Sequence, residues 1–198
     1  MSRMNRIIKR VFDLIISFIG LMLTCWVILL AWLISVVETK SNGFFTQTRV
    51  GQSGKLFKVI KIKTMKKVAG IETTVTSSND TRITKSGKFF RNTKIDELPQ
   101  LWNVLVGDMS LVGPRPDVPG YADNLVGKDK VILSIRPGIT GPASLKYKNE
   151  EGILEKQLNP KEYNDKIIWP DKVKINRRYV EDYSFMKDLK YIIWTVSS

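Results

Sequence analysis

From Leu14 to Val37 the chain runs for 24 residues without a charged side chain. A helix of that length rises about 36 Å, enough to cross the hydrocarbon of a bilayer. The rest of the fold has to be arranged around this segment. A cleaved secretory signal fits poorly, because the apolar run is too long and no small-residue cleavage site follows it. A helix buried in a water-soluble core also fits poorly, because the segment reads as apolar on every face. The sequence therefore predicts a membrane-inserted unit over residues 1–40 and a second unit over 41–198. Arg3, Arg6, Lys9 and Arg10 precede the run, and Lys40, Arg49, Lys55, Lys58, Lys61 and Lys63 follow it. Basic flanks on both sides favour one face, the cytoplasmic one, for both ends. A re-entrant helix hairpin satisfies this, whereas a single span would export the second unit. The hairpin needs a mid-helix break whose freed backbone groups find partners, and the residue pattern leaves both topologies open.

Composition narrows the chemistry. The formal net charge is +13, so anionic partners are expected: phosphates, nucleotides or an acidic membrane surface. The 198 residues include no histidine and one cysteine, Cys25. Histidine general bases, serine–histidine triads and cysteine or histidine zinc clusters are thereby excluded. Carboxylates must carry much of any chemistry, and Asp96-Glu97 is the best-placed pair.

Phe44 to Val50 and Lys55 to Lys63 read as two strands around the turn residues Gly51-Gln52-Ser53-Gly54. In the second strand Lys61 and Lys63 fall on one face and Ile60 and Ile62 on the other. That face is either a solvated edge or turned toward phosphate. Residues 70–88 are rich in Thr, Ser, Asn, Asp and Gly and read as a surface loop, of a length common in lids. Asp96 is expected to open a short helix, with Pro99 in its first turn and Gly107 ending it. Leu98, Leu101, Trp102 and Leu105 would form its apolar face. Asp96 is then either a plain N-cap or a charged group placed at a helix start.

Arg115 lies between two prolines in Gly113-Pro114-Arg115-Pro116, and Arg136 opens Arg136-Pro137-Gly138-Ile139-Thr140-Gly141. A guanidinium on a fixed backbone suits phosphate, although a structural turn explains the prolines equally. From about Asn149 the chain reads as helical, with a break at Trp169-Pro170. Phe185, Leu189, Ile192, Ile193 and Val196 form a stripe suited to core packing or a membrane interface. There is no internal repeat, no Walker loop and no dinucleotide glycine fingerprint.

Several blocks together resemble the small monotopic bacterial sugar transferases, the polyprenol-phosphate phosphoglycosyl transferases. They are Lys9-Arg10-Val11-Phe12-Asp13, Phe45-Thr46-Gln47-Thr48-Arg49, Phe57 to Met65, Asp96-Glu97-Leu98-Pro99-Gln100-Leu101, Gly107-Asp108-Met109-Ser110 and the two arginine–proline segments. Ser184 to Lys190 matches the family's C-terminal part. The resemblance covers nearly the whole chain. It implies an α+β fold, a membrane-inserted re-entrant helix hairpin followed by a small mixed helical and β-hairpin catalytic domain on the cytoplasmic face of the bacterial inner membrane. It also implies a reaction: a nucleotide sugar, usually UDP-linked, gives its sugar 1-phosphate to undecaprenyl phosphate, releasing UMP. By resemblance Asp96 is the nucleophile and Glu97 the Mg²⁺ ligand. Lys61, Arg91 and Arg115 would hold phosphates, with Arg136 a further candidate.

The expected partners are the nucleotide-sugar donor, the polyprenyl phosphate acceptor and membrane lipid, with no nucleic acid, and oligomers are possible. The sequence departs from the family's pattern twice. Cys25-Trp26 stands where the family has a Ser-Pro helix break. Pro142 to Glu151 replaces a Gln-Val-Asn-Gly-Arg sequence, leaving the sugar open, with an N-acetylated or deoxy sugar expected. Two rivals remain: a non-enzymatic basic module that binds anionic lipid or nucleic acid, and a membrane-bound phosphodiesterase or pyrophosphatase using the same carboxylates.

Overall fold

A computed structural model describes residues 1–66 and 80–197. Helix α1 (Arg3–Thr39) starts at Ser2, whose hydroxyl accepts from Asn5 N at 3.2 Å, and ends at the left-handed Lys40. Its 37 residues rise about 55 Å. Lys9, Asp13, Ser17, Ala31 and Ser35 are buried, and Gly20 sits against Leu101. Ile15, Phe18, Met22, Leu23, Trp26, Leu29, Leu33 and Val37 are exposed. The expectation of a helix apolar on every face is therefore corrected. A stripe of small and polar residues at three- and four-residue spacing turns inward, and the apolar residues turn outward. This is the reverse of a water-soluble amphipathic helix, and small inward residues allow close approach as in membrane helix packing.

The expected mid-helix break is absent. Neither proline nor a glycine pair removes a backbone bond at Cys25-Trp26, and α1 continues through it. Thr24 Oγ1 donates back to Gly20 O at 2.7 Å, a bond that bends helices without ending them. Both ends of α1 nevertheless bond to the same body. Lys9 Nζ reaches Asp188 Oδ2 at 2.6 Å near one end. Ser35 Oγ donates to Lys63 O at 2.6 Å near the other, where Ser86 also bonds Glu38.

Strands β1 (Phe44–Val50) and β2 (Leu56–Ile62) form the expected antiparallel hairpin, closed by a 3₁₀ turn at Gln52–Gly54. The expected loop over 70–88 lies in part outside the described residues. Its C-terminal end is helical: α2 (Lys85–Thr93) begins after Thr84, whose hydroxyl accepts from Gly87 N at 2.9 Å. Asp96 does not open the short helix expected of it. It lies in a 3₁₀ turn, Ile95–Glu97, and α3 (Gln100–Val106) follows Pro99, ending at Gly107 with φ 97°.

The inner face of α3 also differs from the expected leucine stripe. Gln100, Asn103 and Val104 are buried, while Trp102 is exposed. Asn103 faces inward because it completes the β2 edge. Its Nδ2 donates to Lys58 O at 2.8 Å, and its Oδ1 accepts from Ile60 N at 3.1 Å.

Two three-residue strands, β3 (Ser110–Val112) and β4 (Gly138–Thr140), pair in parallel, Ser110 with Gly138 and Val112 with Thr140. A Cβ on Gly138 would lie 2.1 Å from Gly113 N, so only glycine permits this approach. The pair joins the two arginine–proline segments. Helices α4 (Pro142–Lys146), α5 (Glu150–Glu155) and α6 (Pro160–Tyr163) follow.

The break expected at Trp169-Pro170 is a π-helical turn, Asn164–Ile168, running directly into α7 (Trp169–Glu181). Pro170 is tolerated because it sits in the first turn of α7. Helix α8 (Phe185–Val196) buries Asp188, leans Tyr191 and Ile192 on the main core, and exposes Ile193, Trp194 and Val196. Its stripe is thus only partly core. The main core gathers Val59, Val104, Met109, Val112, Ile135, Tyr179 and Val180.

Candidate active site

The turn Ile95–Glu97, strand β2 and the Gly113–Pro116 segment converge on one carboxylate. Glu97 Oε1 accepts from Lys61 Nζ and from Arg115 Nη2, both at 2.8 Å. Lys61 is thereby turned to the site, while Lys63 bonds Ser41 instead. The two cations hold the Glu97 carboxyl far below the usual carboxylate range against the opposing pull of burial. Burial lowers the Lys61 ammonium, although Glu97 opposes this. Glu97 raises the Arg115 guanidinium.

Asp96 is the opposite case. Its side chain is buried, and Oδ1 has no hydrogen-bond partner. It caps nothing, since Pro99 rather than Asp96 precedes α3, so the plain N-cap role is not what the fold uses it for. Burial, then the neighbouring Glu97 charge, pushes its carboxyl up to about 6. Lys61, Lys94 and Arg91 oppose that shift. Asp96 is thus mostly ionised at neutral pH, but less firmly than a charged group at a helix start would be.

Arg91 lies on the Asp96 side of the group, on α2, where it is ion-paired with Glu151 of α5. Arg136 is not brought to the group. Its Nε donates to Gly107 O at 2.7 Å, beside Arg10, whose Nη1 and Nη2 donate to Val104 O and Leu105 O at 2.7 and 3.0 Å. Those two arginines satisfy the carbonyls at the end of α3. The structure therefore assembles Asp96, Glu97, Lys61, Arg115 and Arg91, and leaves Arg136 elsewhere.

The bacterial sugar transferase family matches residues 4–198. The chain belongs to that family. The chain is 36% identical to the uncharacterized sugar transferase EpsL of Bacillus subtilis, over 96% of this chain and 86% of that protein. It is 33% identical to the UDP-glucose:undecaprenyl-phosphate glucose-1-phosphate transferase of Escherichia coli, over 99% of this chain and 41% of that protein. It is 34% identical to the galactosyl transferase CpsE of Streptococcus agalactiae, over 96% of this chain and again 41% of the relative. The chain thus spans less than half the length of these two named transferases.

Three residues at the candidate site escaped the sequence reading. Arg49 lies beside Arg115, Asp117 is pushed up to about 6 by burial, and Glu151 occupies Arg91. Arg49 had a signal, its place in the Gln47-Thr48-Arg49 block, and Glu151 ends the Pro142 to Glu151 departure. Asp117 carries no pattern that separates it from surface acids.

Proposed function

We propose that this transferase moves a sugar 1-phosphate from a UDP-sugar to undecaprenyl phosphate, giving UMP and an undecaprenyl-diphosphate sugar, through a phosphosugar held on Asp96. The observation that carries this reading is the buried, unpartnered Asp96 Oδ1 beside a Glu97 held by two cations. An oxygen buried without a partner is costly and is kept where a ligand completes it. The names of relatives support the donor and acceptor classes, although they differ over the sugar.

An Asp96 carboxylate oxygen attacks the sugar-bearing phosphorus, and the bond from that phosphorus to the nucleotide phosphate breaks, releasing UMP. An oxygen of the lipid phosphate then attacks the same phosphorus and frees Asp96. Two displacements keep the two anionic substrates from meeting at once. Lys61, Arg115 and Arg91 stabilise charge on the phosphoryl oxygens, and no proton need be removed from Asp96 before attack.

Mg²⁺ fits this site only with help from substrate. Among the described residues no cluster of three acidic or other ligating side chains exists. Glu97, with Asp96 adjacent, would hold the ion alongside donor phosphate oxygens, an arrangement usual for magnesium. When bound it would supply neutralisation of the diphosphate charge.

Helix α1 enters the membrane without placing its ends on opposite faces in this reading. The bonds from Lys9 and from Ser35 to one body support that arrangement, and it keeps Asp96 on the cytoplasmic side with the UDP-sugar. The test of the reaction is UMP release from a panel of UDP-sugars with Mg²⁺, with and without undecaprenyl phosphate. Lipid-dependent UMP formation that disappears in Asp96→Asn supports the transferase. Steady turnover to free sugar phosphate without lipid would identify a hydrolase instead.

A further inference from the structure

We propose that Arg49 is a further substrate-binding residue, taking the phosphate that departs with the nucleotide. This rests on the transferase reading above. Arg49 closes strand β1, where Nη1 donates to Pro116 O at 3.1 Å and Nη2 to Gln47 Oε1 at 2.6 Å. One residue on, Val50 N donates to Asp117 O at 2.9 Å. The β1 end therefore grips the segment that carries Arg115. Both hydrogen-bond partners of Arg49 are neutral oxygens. Its charge is felt by a second guanidinium, Arg115, and by Asp117 and Glu97 without a direct ion pair to either. Arg115 is already ion-paired with Glu97, whereas Arg49 has no ion pair among the described residues, which leaves its charge for an incoming anion.

The order of charges gives that anion a direction. Lys61 and Arg115 meet at Glu97, next to Asp96 in the chain, whereas Arg49 bonds Pro116 O, one residue beyond Arg115. The phosphorus under attack belongs near Asp96. The second phosphate of the diphosphate then lies on the Arg115 side, within the domain of Arg49. A cavity bounded by Val50, Gly51, Arg115, Pro116, Trp169 and Asn176 opens from that same side, and Asn176 Oδ1 is buried in it without a partner.

The alternative is that Arg49 merely ties β1 to Pro116, and charge separates the two. Full-length protein in detergent is titrated with UMP and with uridine, comparing wild type, Arg49→Lys and Arg49→Gln. Glutamine keeps a donor for Pro116 O without charge, and lysine keeps charge. We expect Arg49→Gln to weaken UMP binding at least about tenfold, Arg49→Lys to stay within about threefold, and uridine competition to be unchanged in both. Equal UMP binding in all three proteins overturns the proposal. So does a parallel loss of UMP and uridine binding, which marks a structural role. Wild type that binds no UMP sinks the transferase reading as well, so the two failures are distinguishable.

Discussion

Two buried carboxylates in this molecule meet opposite treatment. Asp188 accepts from Tyr179 OH at 2.6 Å on one oxygen, and from Lys9 Nζ at 2.6 Å and Tyr183 OH at 3.1 Å on the other. Every side of it is met, and the result locks α1 onto α7 and α8. Asp96 is also buried, yet one oxygen meets nothing, while its neighbour Glu97 takes Lys61 and Arg115. Burial alone does not mark function. The satisfied cluster holds α1 in place, and the unsatisfied one is where the proposed substrate would bind.

The sharpest way to break this contrast is to exchange the two effects. Asp96→Asn should lower UMP release at least about a thousandfold, while leaving the protein folded. Its thermal midpoint should be unchanged or higher. The Asp96 carboxyl, pushed up to about 6, contributes stability in its neutral form, which is present below the ordinary carboxylate range and lost as pH rises through about 6. The gain from asparagine should therefore grow as pH rises from the ordinary carboxylate range to about 6 and level off above it. Calorimetry across pH checks it, and a large loss of stability would contradict the contrast.

Asp188→Ala should behave in reverse. It strands Lys9 in a buried setting, at a cost of about 3–5 kcal/mol. For a chain of this size that corresponds to a fall of about 6–20 °C in thermal midpoint. A stable Asp188→Ala protein would mean that α1 docks mainly through its small-residue stripe.

A smaller effect concerns pH. Since attack needs the Asp96 carboxylate, kcat/KM for the donor should rise with pH and level off above about 6, falling about tenfold per unit below it. Asp117 is raised to the same range. Asp117→Asn should keep the limb, and its disappearance there would assign the limb to Asp117.

The smallest effect lies at Arg91. Glu151 pairs with it in the absence of donor, so Glu151→Gln should lower the donor KM about two- to fivefold. An unchanged KM would remove Arg91 from the donor site.

The hairpin was legible because alternating side chains flank Gly51-Gln52-Ser53-Gly54, a local signal. The Asp96-Glu97 pair stood out because the chain offers no histidine and few other adjacent acids. The inward stripe of α1 was not, because Lys9, Asp13, Ser17, Gly20 and Ser35 look scattered until a helix aligns them. The start of α3 was misjudged because Pro99 suits a first turn, yet the turn before it closes on its own. Strands β3 and β4 are too short to show a period, so nothing in the sequence says that the two arginine–proline segments touch. That gap is why Arg115 and Arg136 looked alike. Which way a guanidinium points depends on partners, Glu97 for one and Gly107 O for the other.

The central claim is that Asp96 itself carries the phosphosugar. It is tested most directly by mixing the transferase with the active UDP-sugar and Mg²⁺ in the absence of polyprenyl phosphate, quenching rapidly, and weighing the intact protein. The account predicts one UMP per chain, a mass increase of one sugar phosphate, and its release by hydroxylamine with the mark left on Asp96. Unmodified protein, with UMP formed only once lipid is added, would show direct transfer and contradict it.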